Sequence, residues 1–139
     1  MTPHAGELAR LLNADPADVT ARRTEHARAA ARTLRCCVLL KGSTTVIAAA
    51  DDSPLLVNPT GTGWLATAGT GDVLAGLAGA LIAQGLDVRE AAAAAAFLHG
   101  ISARYAADGA GPFPGGEAPI GAGDVIDSLP DAIRGVQEA

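Results

Sequence analysis

The spacing of hydrophobic residues changes along this chain, and each spacing predicts a different element. Near the amino terminus, leucines three and four positions apart predict a short helix that ends at Asn13. Asp15 and Pro16 have the composition of an N-cap and a first helical position, and a longer helix is expected from Thr20 to about Leu34. The solvated face of that helix is expected to carry the charged residues Arg22, Arg23, Glu25 and Arg28.

The middle of the chain consists of short apolar runs that are typical of strands. Residues 36–40 form a continuous apolar run, which predicts a strand buried on both faces of a parallel sheet. Residues 44–49 and 55–58 predict two more strands, and the turn at residues 51–54 should join them as a hairpin.

The second half of the chain is predicted to be mostly helical. Apolar residues recur at three- and four-residue steps from Val73 onwards, and Gly85 is the expected C-cap of that helix. Asp87 and Glu90 have the spacing of a capping box for the next helix, which should run to about Tyr105. The expected remainder is a mobile Gly/Pro-rich loop at residues 109–116, a short apolar turn at 125–129 and a weak helix from 130 to the end. This order predicts an α/β layer structure.

The loop that precedes the central helix carries the clearest chemical signal. Gly69 and Gly71 remove side chains where a backbone could approach a ligand, Thr70 can cap the helix, and Asp72 falls in its first turn. A glycine-rich helix start offers free N–H groups to an anion, and a carboxylate beside it could act as a general base. The alternative is an ordinary capped helix start whose acid only stabilises the helix dipole.

Two other segments are candidates for binding. The Lys-Gly-Ser-Thr-Thr segment at residues 41–45 follows a strand and could hold phosphate or ribose oxygens, or it could be a plain strand–turn–strand corner. His4, at a helix start, could donate to a polar ligand or be an exposed terminal histidine. His99 is expected to be a packing residue, and His26 is expected on the surface.

Two segments imitate binding motifs. Residues 61–66 fit a loose dinucleotide fingerprint, but no helix is predicted to open there. Residues 121–124, Gly-Ala-Gly-Asp, look like a second copy of the central loop. The short apolar turn that follows them is too brief for an anion-binding helix, so Asp124 is interpreted as a cap.

Composition narrows the class of protein. Hydrophobic residues make up 49% and aromatics 3%, which predicts a core of Ala, Leu and Val. The net charge of −5 gives no reason to expect nucleic acid or a membrane as a partner. No apolar run is long enough to span a bilayer, and the first residues lack a signal-peptide pattern. The adjacent Cys36 and Cys37 are interpreted as buried thiols of a cytoplasmic protein, without a metal site.

Four motifs in order resemble the ADP-dependent NAD(P)H-hydrate dehydratases, a family with a ribokinase-like fold. They are Thr-Pro-His-x-Gly-Glu at residues 2–7, Lys-Gly-x-x-Thr at 41–45, Asn-x-Thr-Gly at 58–61 and Leu-Ala-Thr-x-Gly-Thr-Gly-Asp-Val-Leu-Ala-Gly at 65–76. The family domain is considerably longer. The resemblance therefore implies a partial ribokinase-like, three-layer α/β/α fold that lacks the amino-terminal half of the sheet, with residues 1–139 as a single carboxy-terminal portion. Ala68 departs from the glycine that is common in the family.

The resemblance also implies roles for particular residues. Asp72 would be the catalytic base and would contact the hydrated nicotinamide ring, and His4 would bind the same substrate. The anion hole would consist of Gly69, Thr70 and Gly71. Nucleotide-binding residues would be Lys41, Gly42, Ser43, Thr44, Thr45 and Gly71.

The implied reaction removes water from hydrated NADH or NADPH at the expense of ADP. ADP or ATP would be a co-substrate, accompanied by Mg²⁺, and no metal would be held by the protein alone. The expected partners are the hydrated dinucleotide and an adenine nucleotide, with either a homo-oligomer or a complementary half of the domain. Two alternatives stay open: a small-molecule kinase of the same fold, for a sugar, hydroxymethylpyrimidine or thiazole, and a non-catalytic nucleotide-binding fragment that needs a partner.

Overall fold

The computed structural model describes residues 1–51, 53–108 and 116–138. Its helices are α1 Ala5–Leu12, α2 Pro16–Ala21, α3 Arg23–Leu34, α4 Thr70–Ala83, α5 Val88–Ala107 and α6 Ala122–Gln137. Its strands are β1 Val38–Leu40, β2 Thr45–Ala48 and β3 Leu56–Asn58, and a 3-10 turn covers Gly63–Leu65. Except for Gly116, the predicted loop at residues 109–116 lies outside the described residues.

The three strands form an antiparallel sheet in the order β1-β2-β3. The predicted hairpin of the second and third strands is confirmed, with Val46 opposite Val57. The expected parallel pairing is wrong on the β2 side of β1, where the two strands run antiparallel. Parallel neighbours need a long crossover, whereas only residues 41–44 join these two strands.

The first residues of the chain run parallel to β1 along its free edge. The carbonyl of Met1 accepts a hydrogen bond from the amide of Leu39 at 2.9 Å, and the amino-terminal ammonium donates to the carbonyl of Cys37 at 2.8 Å. The carbonyl of Pro3 accepts from the amide of Lys41 at 2.8 Å. Because Met1 bonds to the residues on both sides of one β1 position, this is the parallel pattern. It places the start of α1 beside the end of β1.

Helices cover both faces of the sheet, which confirms the predicted three layers. On one face, Val38 and Leu40 are fully buried against the alanines of α3 and against Leu8 of α1. On the other face, Leu39 and Ile47 pack against α4 and α5. The two faces of the short strands are therefore both apolar, as the continuous run at residues 36–40 predicted, although Cys36 and Cys37 are only half-buried.

Several predicted helix ends are confirmed. Asn13 closes α1 with a left-handed φ of 51°, and the Asp15 side chain caps α2 ahead of Pro16. Gly85, just beyond α4, has a φ of 97°, a conformation that glycine adopts without strain. The carboxylate of Asp87 accepts hydrogen bonds from the first turn of α5.

Other predicted boundaries are wrong. The helix expected from Thr20 is two helices, since α2 stops at Ala21 and the chain bends at Arg22. The expected turn at residues 125–129 is part of α6, which continues through Pro130 as a 16-residue helix. Val125 and Ala132, on either side of Pro130, are buried, so tertiary packing outweighs the hydrogen bond that proline cannot make.

Within residues 1–51, 53–108 and 116–138, no helix has the length and apolar character that crossing a membrane requires.

Candidate functional site

A pocket of about 550 Å³ lies where β1 ends and α4 begins. Five segments supply its walls: the start of α1, the turn between β1 and β2, the loop after β3, the start of α4 and the middle of α5. The sequence-predicted residues among its lining are His4, Lys41, Gly42, Ser43, Thr45, Thr70 and Gly71. Asn58 and Gly61 of the Asn-x-Thr-Gly motif also line it, so the fold brings together four motifs that are far apart in sequence.

The amino terminus of α4 presents unpaired amides to this pocket. Gly69 is the N-cap, with a left-handed φ of 87°, and its carbonyl accepts from the amides of Asp72 at 3.0 Å and Val73 at 3.1 Å. No described residue accepts a hydrogen bond from the amides of Thr70 and Gly71. These two N–H groups, at the positive end of a 14-residue helix, can hold an anion.

Thr70 fixes the shape of this loop without acting as the N-cap that the sequence suggested. It is the first residue of α4, and its hydroxyl lies 2.7 Å from the carbonyl of Leu65 and 2.9 Å from that of Thr67. The side chain is buried, with 3% of its surface exposed. Thr70 therefore ties the preceding loop to the helix start, and its amide stays free.

Lys41 lies directly against this helix start. A Cβ added to Gly71 would be 3.0 Å from the Lys41 ammonium nitrogen, so the absence of a side chain at Gly71 makes room for the lysine. The same nitrogen is 3.7 Å from a carboxylate oxygen of Glu7. A cation beside two free amides is a combination suited to a phosphate group.

His4 caps α1 at the edge of the pocket. Its Nδ1 accepts from the amide of Glu7 at 3.2 Å, and the Glu7 carboxylate accepts from the amide of His4 at 2.7 Å. Because Nδ1 is an acceptor here, the proton of the neutral ring sits on Nε2. The hydrogen bond from His4, followed by the charge of Lys41, lowers the pKa of Glu7 below its ordinary value. His4 is exposed, so its ring has access to a ligand.

The structure corrects the role expected of Arg23. The sequence placed it with Arg22 on a solvated face, but Arg23 points inward to the turn at residues 41–44. Its Nη2 donates to the carbonyls of Leu40, Lys41 and Thr44 at 3.0, 3.0 and 3.1 Å. The run of charged residues gave no signal for this contact, because it joins α3 to a turn that lies far along the chain.

The Asn-x-Thr-Gly motif is held against α5. Buried Asn58 donates to the carbonyl of Ala96 at 2.9 Å, and the Thr60 hydroxyl lies 3.1 Å from the Asn58 side-chain oxygen. Thr60 packs so closely on Gly100 that a Cβ there would be 2.1 Å from the Thr60 hydroxyl oxygen. In the sequence this motif contributed only to the resemblance. Its polar residues next to Gly61 could have indicated a pocket wall.

The glycine-rich segment at residues 61–66 also reaches the site. A Cβ on Gly61 would lie 2.6 Å from the carbonyl oxygen of Ser43, so this loop packs on the turn after β1. The side chain of Thr62 caps a single 3-10 turn at Gly63–Leu65, where no helix was expected. The segment is a wall of the pocket, and a turn of three residues is too short to make the helix of a dinucleotide fingerprint.

His99 lines the pocket from α5, and the sequence analysis had treated it as a packing residue. It is buried, with 6% exposure, and its Nε2 has no hydrogen-bond partner among the described residues. Burial lowers the pKa of His99, and the backbone of Thr70 only partly opposes this effect. A neutral imidazole therefore lies next to the start of α4.

Three predicted site residues lie outside the pocket lining. Gly69 shapes the loop, Thr44 is exposed on the far side of its turn, and Asp72 is exposed on the first turn of α4. The carboxylate of Asp72 has no hydrogen-bond or ion-pair partner among the described residues. No cluster of three or more His, Cys, Asp or Glu in the described part of the chain could hold a metal ion.

The fold is a three-layer α/β/α domain, and a free helix amino terminus and a lysine lie together at one end of its sheet. These features define an α/β protein with an anion-binding site. The family model described as NAD(P)H-hydrate dehydratase (Carb_kinase) matches residues 1–119, and the chain belongs to this family. The resemblance drawn from four motifs is confirmed.

Curated relatives agree with this assignment. The ADP-dependent (S)-NAD(P)H-hydrate dehydratase of Neisseria meningitidis serogroup B is 46% identical over 80% of this chain and 37% of that protein. The bifunctional NAD(P)H-hydrate repair enzyme Nnr of Moorella thermoacetica is 43% identical over 99% of this chain and 25% of that protein. The chain thus spans well under half the length of these relatives.

Solved structures confirm the expected fold. The ADP/ATP-dependent NAD(P)H-hydrate dehydratase from Bacillus subtilis, co-crystallized with ATP/Mg²⁺, matches with a TM-score of 0.83 and 33% identity. The match covers 96% of this chain and 46% of that one. A hydroxyethylthiazole kinase from Pyrococcus horikoshii, 22% identical with a TM-score of 0.72, shares the fold. The chain therefore has a ribokinase-like fold and covers about half of these solved chains.

Proposed function

We propose that this chain carries the nucleotide and substrate site of an enzyme that dehydrates hydrated NADH or NADPH at the expense of ADP or ATP. The observation that carries the proposal is the pair of unpaired amides, Thr70 and Gly71, at the start of α4 with Lys41 against them. The pocket of about 550 Å³ is large enough for a nucleotide-sized ligand. The names of the relatives supply the substrate class.

The predicted site residues that line the pocket have roles in this proposal. Lys41 and the free amides of Thr70 and Gly71 hold the transferred phosphate and stabilise the charge that develops on it. The turn at residues 42–45 binds the rest of the nucleotide. His4, exposed at the pocket edge, contacts the hydrated dinucleotide.

Asp72 is proposed as the base. It takes the proton from the hydroxyl of the hydrated ring, whose oxygen then forms a bond to the terminal phosphorus of the nucleotide as the bond to the leaving nucleotide breaks. The ring carbon–oxygen bond then breaks, phosphate departs with the electron pair, and loss of a neighbouring ring proton forms the double bond. The exposed, unpaired carboxylate of Asp72 is consistent with the first step.

Mg²⁺ belongs to the proposal as a companion of the nucleotide. The described residues offer no protein-only metal cluster, and Mg²⁺ in nucleotide sites is commonly held by phosphates and one or two carboxylates. Asp72 is the carboxylate at the helix start that could share such an ion with the phosphates. The ion would supply charge neutralisation on the phosphate oxygens.

Association with another chain is also part of the proposal. Val57 on β3 is 55% exposed and Ile82 on α4 is 42% exposed, so apolar surface remains uncovered at the sheet edge and along α4. We expect a complementary half of the domain, or a second copy of the chain, to cover this surface. We also expect the protein to be cytoplasmic. Light scattering at high concentration tests this, and a monodisperse monomer would contradict it.

Two measurements test the function. Calorimetry should detect ADP or ATP binding to the chain with Mg²⁺, and the absorbance of reduced nicotinamide should rise when hydrated NADH is added. Because the chain spans part of its relatives, the assay is repeated with the unmatched portion of the Bacillus subtilis relative added in trans. No nucleotide binding in either arm would refute the proposal.

The alternatives predict other outcomes of the same assays. Nucleotide binding without turnover in both arms would favour the non-catalytic nucleotide-binding fragment. Phosphate transfer to hydroxyethylthiazole, a hydroxymethylpyrimidine or a sugar would favour a kinase. The likeness to hydroxyethylthiazole kinase supports the shared fold alone, so we favour the dehydratase.

A further inference from the structure

We propose that Arg23 is a positioning residue that holds the turn at residues 41–44 in its ligand-binding shape, and thereby sets nucleotide affinity from outside the pocket. The inference rests on the proposed function for the identity of the ligand. Arg23 does not line the pocket, and nothing in its sequence position marks it as different from Arg22.

The guanidinium of Arg23 bonds to both ends of the turn at residues 41–44. One nitrogen, Nη2, is within hydrogen-bond distance of the carbonyl oxygens of Leu40 and Lys41 at the start of the turn and Thr44 at its end. Hydrogen bonds from a charged donor are stronger than neutral ones. A single cation thus ties both ends of the four-residue connection between β1 and β2.

The surroundings of Arg23 leave these carbonyls as its partners. It is only partly exposed, and burial lowers its pKa, although a guanidinium stays charged in proteins. Within the described residues no carboxylate pairs with it, whereas the adjacent Arg22 is exposed and pairs with Asp18 and Glu25. Removing Arg23 would leave three carbonyl oxygens without this donor.

Gly42 shows how tightly the guanidinium fits. A Cβ at Gly42 would lie 2.6 Å from Nη2 and 3.0 Å from Cζ of Arg23. Gly42 has no left-handed φ, so its lack of a side chain is explained by this contact and not by backbone strain. A methyl group at Gly42 would displace the guanidinium from its three carbonyls. A substitution at Gly42 therefore perturbs the same contact without changing Arg23 itself.

Movement of this turn would reach the anion site directly. Gly42 and Ser43 line the pocket, and Lys41, whose carbonyl Arg23 binds, places its ammonium beside Gly71. The carbonyl of Ser43 also packs on Gly61, so a shift of the turn would change a second wall. A loosened turn therefore lowers affinity for phosphate without removing any group that touches it.

The first experiment compares adjacent arginines. In Arg23→Met the affinity for ADP should fall about tenfold or more, since charged hydrogen bonds that order the turn are lost. Arg22→Met, which removes an exposed ion-paired cation, should leave affinity unchanged. Arg23→Lys keeps the charge and should recover part of the loss. The measurement is calorimetric titration of the folded protein, with the melting temperature recorded for each variant.

A double-mutant cycle isolates the contact itself. Gly42→Ala should weaken ADP binding in the parent, but should add little in the Arg23→Met background, where the guanidinium is already absent. Gly76→Ala is the matched control, because nothing lies within 4 Å of a Cβ at that exposed position of α4. If Arg23→Met fails to fold, the comparison of Gly42→Ala with Gly76→Ala still decides the question.

The outcomes separate this inference from the proposed function. A lower melting temperature with unchanged ADP affinity would make Arg23 merely structural and overturn the inference, as would additive effects in the cycle. If the parent binds no adenine nucleotide, the proposed function fails. Amide NMR then tests whether Arg23 orders the turn at residues 41–44. Arg23→Met should then shift the resonances of residues 42–45, and Arg22→Met should not. Unchanged resonances would refute the inference alone.

Discussion

Two helices of this protein begin with nearly the same tetrapeptide and use it differently. Gly-Thr-Gly-Asp at residues 69–72 opens α4, and Gly-Ala-Gly-Asp at 121–124 opens α6. In both, the first glycine is the N-cap and the aspartate is the third helical residue. The contrast shows what a local pattern leaves open.

The N-cap conformation separates the two loops. Gly121 is extended, with a φ of −103°, and its amide donates to the carboxylate of Asp124 at 2.7 Å. Gly69 has a φ of 87°, and no side chain caps α4. At the start of α6, Asp124 caps the helix by accepting from the amide of Gly121, as predicted. At the start of α4, Asp72 stays free beside two unpaired amides.

Neighbours explain why only one loop takes the left-handed form. The hydroxyl of Thr70 binds the carbonyls of the loop before it, whereas Ala122 at the matching position has no hydroxyl. Lys41 and His99 face the start of α4. A free, anion-ready helix start thus depends on side chains that come from other segments of the chain.

The largest expected effect distinguishes the two aspartates. Asp72→Asn keeps the shape of the side chain but removes the proton acceptor, so turnover should fall by about a hundred- to ten-thousand-fold, with nucleotide affinity unchanged or slightly higher. Asp124→Asn should leave turnover intact and cost about 1 kcal/mol of unfolding free energy through its cap. Turnover is measured from the nicotinamide absorbance and affinity by calorimetry.

If Asp72→Asn loses nucleotide binding together with turnover, Asp72 is a structural residue. Turnover near the parent value would show that Asp72 is not the base.

The next effect distinguishes the two N-cap glycines. Gly69→Ala places a side chain in a left-handed conformation and 3.1 Å from the Cβ of Ala122, so we expect a loss of about 1–2 kcal/mol in unfolding free energy. In Gly121→Ala the new Cβ would lie 3.6 Å from its nearest atom, and the φ of this residue is negative. Its loss of unfolding free energy should be only a few tenths of the loss in Gly69→Ala. Urea denaturation measures both, and equal losses would contradict the conformational explanation.

A smaller effect is expected at the second glycine of each loop. Gly71→Ala would displace the Lys41 ammonium, and ADP affinity should fall by about 1 kcal/mol as one charged contact with phosphate weakens. At Gly123 nothing lies within 4 Å of a Cβ, so alanine should leave affinity alone and raise stability by up to about 1 kcal/mol. Titration calorimetry and denaturation check the pair; loss of affinity in both variants would point to a general helix effect.

The smallest effect tests the histidine beside α4. Burial lowers the pKa of His99 in the folded state, so the unfolded chain binds a proton first as the pH falls below about 6.5. Stability should decline from that pH towards the lowered pKa, by at most about 1.4 kcal/mol per pH unit, and be regained as the pH rises. His99→Gln should lack this decline.

The acidic groups provide the internal reference for that experiment. Hydrogen bonds and nearby cations lower the pKa values of Glu7, Asp18 and Asp51, so their stabilising contribution is present near neutrality and is lost only in more acidic solution. Thermal melts of the parent and of His99→Gln between about pH 5 and about pH 7 therefore show how much of the change in stability depends on His99. Parallel curves for parent and His99→Gln would contradict the assignment.

Much of the fold follows from short-range sequence signals. Asn13, Asp15, Gly85 and Asp87 mark helix ends because each supplies a conformation or a cap that depends on neighbouring backbone. The hairpin of β2 and β3 was predictable from its turn. The α2–α3 break and the continuation of α6 through Pro130 were not, because packing of buried residues decides them.

The candidate site was predicted unevenly. His4, Lys41 and Gly71, which come from the motifs at residues 2–7, 41–45 and 65–76, line one pocket, and their roles in binding stay predictions. Local pattern could not show that Arg23 turns inward or that His99 reaches the start of α4, since both contacts join elements far apart in the chain. The catalytic role of Asp72 stays a prediction.

The sequence by itself determined several of the helix ends, the apolar strands and the family, because periodicity, caps and ordered motifs are local properties that any fold must satisfy. Only the tertiary structure decided which Gly-x-Gly-Asp loop keeps its amides free. That choice depends on Lys41 and on the backbone φ of Gly69, and both are fixed by packing between α4, β1 and α6. A hydrogen-bonding group is available for chemistry only where its neighbours leave it unpaired.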